Sequence, residues 1–490
     1  MILLYNPQSS STRKPCLPMS LMAVSAVLEG KYDHQIVDGN LEPDPLSCLD
    51  ELLAATRAPV LAFTVMPGPQ LQEAVPLARE LKRRHPQVTI VWGGYFPSQH
   101  WDVCLRSDFV DYVVRGHGEI VFLNLLEALH GRGRVEDVRG LAYRGENGTP
   151  KTNPLAPIPQ PAELPEWNWD RVPMERYVCK SYLGDRTLAY HSSYGCPFFC
   201  NFCAVVNMVQ GGWLPQPAER VASVVQLYVS RWRANGLALY DNNFFVSQKR
   251  VAEFATRIMG LGVNWWGEAR IDTLLAFRPR TWKLMRDSGL RMVFMGAESG
   301  SAETLQRMDK GGTMHPDKTL AIAEVMKEWG IIPEFSFVLG NPPDAVGDIR
   351  ETIEFIRKVK RVNHQAEIIM YLYSPVPLAG QLFEAAAAEG FAFPETLAEW
   401  VSERWVNFAR RRSDTMPWLR QSLRSRLRDF ERVLNAYYPT STDVKLTRSW
   451  RTALRALAAW RYHTRIYRFP VELAAMHRLI AYQRPETTGF

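Results

Sequence analysis

Three cysteines within eight residues carry the most evident chemistry in this sequence. The segment His191-Ser-Ser-Tyr-Gly-Cys196-Pro-Phe-Phe-Cys200-Asn-Phe-Cys203 spaces them C-x3-C-x2-C. Thiolates are the ligands of iron–sulfur clusters and of zinc. Three on one loop can hold three irons of a [4Fe–4S] cube and leave the fourth iron open to a substrate or cofactor, as a catalytic zinc keeps an open position. A structural zinc would call for a fourth Cys or His, usually in a second pair at similar spacing, and none follows. Three inert thiols in a core are the remaining alternative. Seven cysteines in 490 residues are too few for a disulfide framework. The clustering points instead to metal chemistry in a reducing cytoplasm.

These cysteines follow an apolar run, and the chain from about residue 186 alternates such runs with helical patterns. Strands are expected at 188–191, 237–240, 264–269, 292–297, 333–339 and 367–373, each but the last followed by a helix. Six βα units in about 200 residues suggest a partial parallel barrel, whose active residues sit where the strands end. The first 150 residues show the same rhythm, with runs at 2–5, 35–37, 59–65, 88–92 and 112–115. That rhythm implies a doubly wound parallel sheet with helices on both faces. Ligands of such sheets lie beyond the carboxyl ends of the strands. The turn residues fall there: Asn6-Pro7, Thr64, Gly93-Gly94, Gly116 and Gly118.

The expected organisation is an α/β domain over 1–150, a proline-rich linker over 151–180, the barrel over 181–400 and a helical tail over 401–490. Six prolines between Pro154 and Pro173 exclude a helix or central strand in the linker. The overall charge of +7 is uneven. The tail holds 18 Lys and Arg against 7 Asp and Glu, so the other 400 residues sum to about −4. No run approaches ~18 consecutive apolar residues, so a transmembrane helix is not expected. Met1–Tyr5 is apolar without a basic flank, which reads as a buried strand rather than a signal peptide.

The cysteine segment resembles the signature of the radical S-adenosylmethionine (SAM) superfamily, in which an aromatic residue precedes the last cysteine; Phe202 holds that place. The resemblance implies that Cys196, Cys200 and Cys203 ligate a [4Fe–4S] cluster whose open iron takes the amino and carboxylate groups of SAM. Later strand ends fit the same family. Asp241 lies in Tyr240-Asp-Asn-Asn-Phe244, which resembles an Asp-Asp-x-Phe turn with Asn242 in place of the second acid. Arg270 closes Glu268-Ala-Arg270. Glu298 and Ser299 lie in Gly296-Ala-Glu-Ser-Gly300, and would sit near the SAM ribose and carboxylate. Ser336 would lie beside the adenine.

Trp92-Gly93-Gly94-Tyr-Phe-Pro97 and Arg115-Gly116-His-Gly118-Glu119 resemble the cobalamin-binding domain fused to many radical SAM enzymes. By that resemblance Asn6, Thr64, Val65, Gly93, Gly94, Gly116, Gly118 and Glu119 contact cobalamin. The Asp-x-His-x-x-Gly motif that places a histidine below cobalt is missing, which implies a base-off cofactor. The family resemblance implies C-methyl transfer at an unactivated sp3 carbon of a small molecule, with an electron donor of flavodoxin or ferredoxin type. Oxidative ring closure in tetrapyrrole synthesis is the alternative. Methylthiolation of tRNA would use Cys16, Cys48 and Cys104 for a second cluster, and the helical contexts of Cys48 and Cys104 argue against it. A non-enzymatic cluster-based sensor lacks an output domain. In the tail, Arg410, Arg411 and Arg412 could pair with an anionic group of a largely apolar substrate. A cover over the open barrel is the role expected for these helices. Basic aromatic helices alone do not establish a nucleic-acid surface.

Overall fold

The computed structural model describes residues 1–9, 15–209, 211–310, 312–410, 416–440, 442–443 and 446–480. The first sheet has seven strands: β1 (Ile2–Asn6), β2 (His34–Asp38), β3 (Val60–Thr64), β4 (Thr89–Gly93), β5 (Tyr112–Val114), β6 (Leu141–Arg144) and β7 (Pro150–Thr152). Their order is β2-β1-β3-β4-β5-β6-β7. The first five pair in parallel, and β6 and β7 add on antiparallel. Every residue of β1 is buried, as a strand covered by helices on both faces requires. The order 2-1-3-4-5 reverses direction between β1 and β3, and a ligand crevice opens at such a switch point. Asn6 and Thr64 end the two strands that flank it.

The second sheet comprises β8 (Thr187–Tyr190), β11 (Gly236–Leu239), β12 (Asn264–Ala269), β13 (Leu290–Glu298), β14 (Ile332–Leu339) and β15 (Glu367–Leu372). All six are parallel in sequential order, and β8 and β15 are the free edges. This is the open six-stranded barrel. Between β8 and β11 a hairpin of β9 (Ser193–Gly195) and β10 (Trp213–Pro215) frames the cysteine loop. The sequence pattern did not foretell this hairpin, nor the antiparallel pair β6–β7.

The proline-rich segment is not a loose tether. Arg220, on the first barrel helix, donates to the carbonyls of Pro161, Leu164 and Pro165. Arg171 makes a two-pronged pair with Glu29 on the first domain, and the Tyr177 hydroxyl donates to Asp38 at 2.8 Å. Trp169 and Met174 are buried. The segment therefore clamps the first domain to the barrel. The described part of the tail is helical, with long helices at Gln421–Tyr437 and Arg448–Thr464. Among the described residues no helix is long and apolar enough to cross a membrane.

The turn into β13 is tight. Gly289 has φ +105°, and a Cβ there would lie 2.2 Å from the Val263 carbonyl oxygen. Gly262 also has positive φ, but a Cβ there would meet nothing within 4 Å. Gly289→Ala should lower stability by about 1–3 kcal/mol or more, and Gly262→Ala by clearly less. Thermal unfolding of the two variants should rank them in that order.

Candidate active site

The cysteine loop hangs from the end of β8 and is braced from beneath. Asp241, fully buried after β11, accepts from the Ser192 amide, the Ser192 hydroxyl and the Ser193 hydroxyl. Bonds to a charged acceptor contribute roughly 1.5–3 kcal/mol each, so Asp241 fixes the strand end that leads to Cys196. Arg250 adds a bond to the Ser192 hydroxyl at 2.7 Å. Cys196, Cys200 and Cys203 are all partly exposed. Burial pushes the three thiols above the usual range, Cys203 to about 12, while Arg270 and Lys310 pull Cys196 and Cys200 the other way. Bound metal reverses the burial effect, because ligating thiols are deprotonated. Among the described residues no three His, Cys, Asp or Glu converge as they would on a single ion. A cube that gives each thiolate its own iron does not ask for such convergence. The donor set and its two neighbouring cations fit a cluster.

The other strand ends crowd around this loop. Arg270, after β12, lies with its guanidinium 3.9 Å from the Phe198 ring centroid and donates to the Cys200 sulfur at 3.5 Å. It is also paired through two bonds with Asp272 and bonded to the Lys310 carbonyl. Glu298 ends β13 in a left-handed conformation, φ +64°, and is ion-paired with Lys310 at 2.6 Å. Ser299 donates to Asp348, which also accepts from the amides of Gly340 and Asn341. Asp348 thus ties the ends of β13 and β14 together. Ser336 is buried and in register with Gly296, and Phe202 packs against the core. Asp241, Arg270 and Ser299 therefore have partners within the protein that hold the loops in place. Lys310 and Asp348 were not singled out from sequence; Lys310 lies in a Met-Asp-Lys-Gly-Gly turn with no strand pattern, and nothing local marks Asp348.

At the carboxyl end of the first sheet, Asn6 donates to Asp38 and accepts from Gln70. Thr64 lies 3.2 Å from the Ser20 hydroxyl. The amide of buried Val65 donates to Gly93. Gly94 has φ +95°, and a Cβ there would lie 3.0 Å from both Thr64 Oγ1 and the Val65 amide. Ser98 joins the two glycine turns, donating to the Gly94 carbonyl and accepting from the Gly116 amide. The crevice edge is bare backbone, which suits a large ligand that must approach closely. Gly118 and Glu119 begin the helix that follows β5.

The two sets of strand ends face each other. A Cβ on Gly116 would lie 3.5 Å from the Met208 carbonyl, on the helix just after the cysteine loop. His117 stacks on Tyr194 at 4.2 Å between centroids, and the Tyr194 hydroxyl donates to Glu119. The chain beyond β15 closes over the junction. Trp400 packs on Phe96 and His100 of the first domain, and Ala409 approaches Gly68. Trp418 donates to the Gly340 carbonyl at the mouth of the barrel. Arg410 is exposed at the end of the helix Glu403–Ala409; Arg411 and Arg412 lie outside the described residues.

A B12 binding domain model matches residues 10–126, and a Radical SAM superfamily model matches residues 190–356. The chain thus carries a radical SAM domain on its second sheet and a B12-binding domain on its first. An uncharacterized methyltransferase of Pyrococcus horikoshii is 26% identical over 367 residues, covering 73% of this chain and 78% of the relative. An anaerobic magnesium-protoporphyrin IX monomethyl ester cyclase of Synechocystis is 26% identical, covering 65% and 64%. Among solved structures, the radical SAM methyltransferase TsrM of Kitasatospora setae, with cobalamin and a [4Fe–4S] cluster bound, superimposes with a TM-score of 0.64 at 18% identity, covering 80% and 78%. The expected fold class is borne out, and the two family models are those that the expected cobalamin-dependent radical SAM class calls for.

Cys16, Cys48 and Cys104 are not gathered. Cys104 is buried beside Asp102, Cys48 lies among Glu42, Asp44 and Glu51, and Cys16 has Cys179 as its neighbour. The junction of the two domains holds a polar group that sequence reasoning left aside. The His117 imidazole is buried against Tyr194, and burial, with His191 nearby, pushes its pKa down to about 4. His117 Nε2, His191 Nε2 and Glu119 Oε2 are buried without a hydrogen-bond partner among the described residues. Such atoms cost about 1–3 kcal/mol each unless a ligand or water meets them. Tyr194→Phe would remove the hydroxyl that donates to buried Glu119 and should destabilise the protein by about 1–3 kcal/mol. Glu119→Gln can still accept from Tyr194 and should cost less. Thermal melts of the two variants check this, and the opposite ranking would contradict it.

Proposed function

We propose that this protein is a cobalamin-dependent C-methyltransferase acting at an unactivated sp3 carbon of a small molecule. The observation that carries the reading is the meeting of the two sets of strand ends, which places the cysteine loop against the Gly116–Glu119 turn. When bound, the cluster with SAM supplies hydrogen abstraction and methyl groups, and cobalamin carries methyl to the substrate. Residues 1–150 form the cobalamin unit, 151–180 the linker, 181–400 the barrel and 401–490 the cover.

Within this reading Cys196, Cys200 and Cys203 hold the cluster. Arg270 and Lys310 offset its negative charge, and Asp241 and Asp348 keep the strand ends fixed around SAM. Glu298 and Ser336 complete that pocket with Phe202 and Ser299. Asn6, Thr64, Val65, Gly93, Gly94, Gly116, Gly118 and Glu119 line the cobalamin crevice, with no histidine beneath cobalt. The aromatic cover excludes water and oxygen from the junction. Arg410, Arg411 and Arg412 are candidates for an anionic group at the rim, and a flavodoxin or ferredoxin is the class of electron donor.

Anaerobic incubation with methyl-deuterated SAM and candidate small molecules tests the assignment. A product that gains the labelled methyl group is the expected outcome. Loss of hydrogens or gain of oxygen, without label, would assign oxidative cyclisation instead. Cys200→Ala should abolish either product and lower iron from about four per chain, the content of one cube.

A further inference from the structure

The accessibility of β12 alternates along Asn264-Trp-Trp-Gly-Glu-Ala269. Trp265, Gly267 and Ala269 are buried, whereas Trp266 and Glu268 are partly open. Successive side chains of a strand point to opposite faces, so Trp266 and Glu268 face the open side, the lumen of the barrel. The parallel register extends this row, with Glu268 beside Phe294, Phe294 beside Glu334 and Glu334 beside Glu367. Tyr240, at the end of β11, is 40% exposed. Its ring lies 5.3 Å from that of Trp266, which lies 6.4 Å from that of Phe294. Trp266 donates its indole N–H to Glu334 at 3.1 Å. One wall of the lumen thus carries three aromatic rings and the carboxyl groups of Glu268, Glu334 and Glu367.

Of these, Glu268 and Glu334 lack a counter-charge among the described residues. Among the described residues no Lys, Arg or His forms an ion pair with Glu268 or Glu334. The contrast with their neighbours is direct. Glu298 has Lys310, Asp272 has Arg270, and Asp241 has the serine donors. Glu367 accepts from Thr442 and feels Lys360. Burial, reinforced by Asp241 at Glu268 and by Glu367 and Glu268 at Glu334, pushes both carboxyls up to about 8. The remaining titratable groups whose charges reach Tyr240 between them are Cys16 and Cys179, and neither is a cation.

We propose that the lumen receives a substrate bearing a protonated amine beside an apolar or aromatic body, with Trp266, Tyr240 and Phe294 against the cation and Glu268 and Glu334 as its counter-charges. An ammonium group satisfies what the wall lacks. It is attracted to aromatic faces, and an opposite charge at close range favours the ionised carboxylate. Binding then releases a proton from the carboxyl group to solvent as the ion pair forms. An anionic group in the same place would find no opposite charge, and ionisation of either acid would repel it. This deepens the reading of the barrel as the reaction chamber and rests on it. An anionic group elsewhere on the same substrate could still reach the rim.

The test uses the full chain loaded with cluster, cobalamin and saturating SAM, titrated by calorimetry near pH 7 with 2-phenylethylamine, 3-phenylpropionate and 3-phenylpropanol. The amine should bind at least tenfold tighter than the carboxylate or the alcohol. Its heat should change with the ionisation enthalpy of the buffer, which reports the released proton. Glu268→Gln and Glu334→Gln should each weaken the amine at least tenfold, without weakening the carboxylate. Equal or tighter binding of the carboxylate, or no binding of the amine, overturns the proposal. The amine-to-carboxylate comparison is made on the unaltered protein and does not depend on a variant folding. Iron content and SAM cleavage, measured on the same samples, report the cofactor reading separately. If those fail while amine selectivity persists, the failure lies with the assigned chemistry and not with the lumen.

Discussion

A hydrogen bond from Tyr194 to Glu119 joins two sheets that the chain builds about 75 residues apart. Tyr194 is two residues before Cys196, the first cysteine of the loop, and Glu119 lies at the start of the helix that follows β5. Through this contact, and the stacking of His117 on Tyr194, the cysteine loop is held against the carboxyl ends of the first sheet. Parallel sheets present ligands at that end only. Two such sheets can share a reaction only if they meet end to end, and this junction sets that arrangement. The clamp of Arg171 on Glu29 and the aromatic packing of Trp400 on Phe96 and His100 secure it from two other sides.

Around the junction, buried charges are placed in pairs. Glu298 with Lys310 and Arg270 with Asp272 flank the cysteines, while Asp241 and Asp348 gather hydroxyl and amide donors. A buried charge without a partner is costly, and removing one member of a pair is strongly destabilising. These pairs therefore give the loops a single arrangement rather than extra affinity for a ligand. Glu268 and Glu334 depart from that pattern, which is why they mark the lumen as a place where something else must supply the charge.

The barrel was legible because most of its strands are short apolar runs, and Gly, Asn or Pro stands within three residues of the ends of β11, β13, β14 and β15. The antiparallel pair β6–β7 was not read, although Asn147-Gly148 between its strands is a hairpin signal. The cysteines declared themselves through spacing alone. The roles of their neighbours did not, because a contact such as Ser299 to Asp348 spans 49 residues and leaves no local pattern. Glu268 was within reach of sequence reasoning: it stands two positions before Arg270, so strand alternation puts both on one face. His117 lies between two glycines, and that local context carries no sign of the second domain that covers it.

The account depends on the two sheets presenting their ligands to one shared chamber. Paramagnetic relaxation of cob(II)alamin measures this directly in protein carrying both cofactors, with the cluster first oxidised and then reduced to its paramagnetic state. Reduction of the cluster should broaden the cobalt signal and shorten its relaxation time, and Cys200→Ala protein loaded with cobalamin should show neither change. A cobalt signal indifferent to the redox state of the cluster would place the two sites apart and contradict the shared chamber.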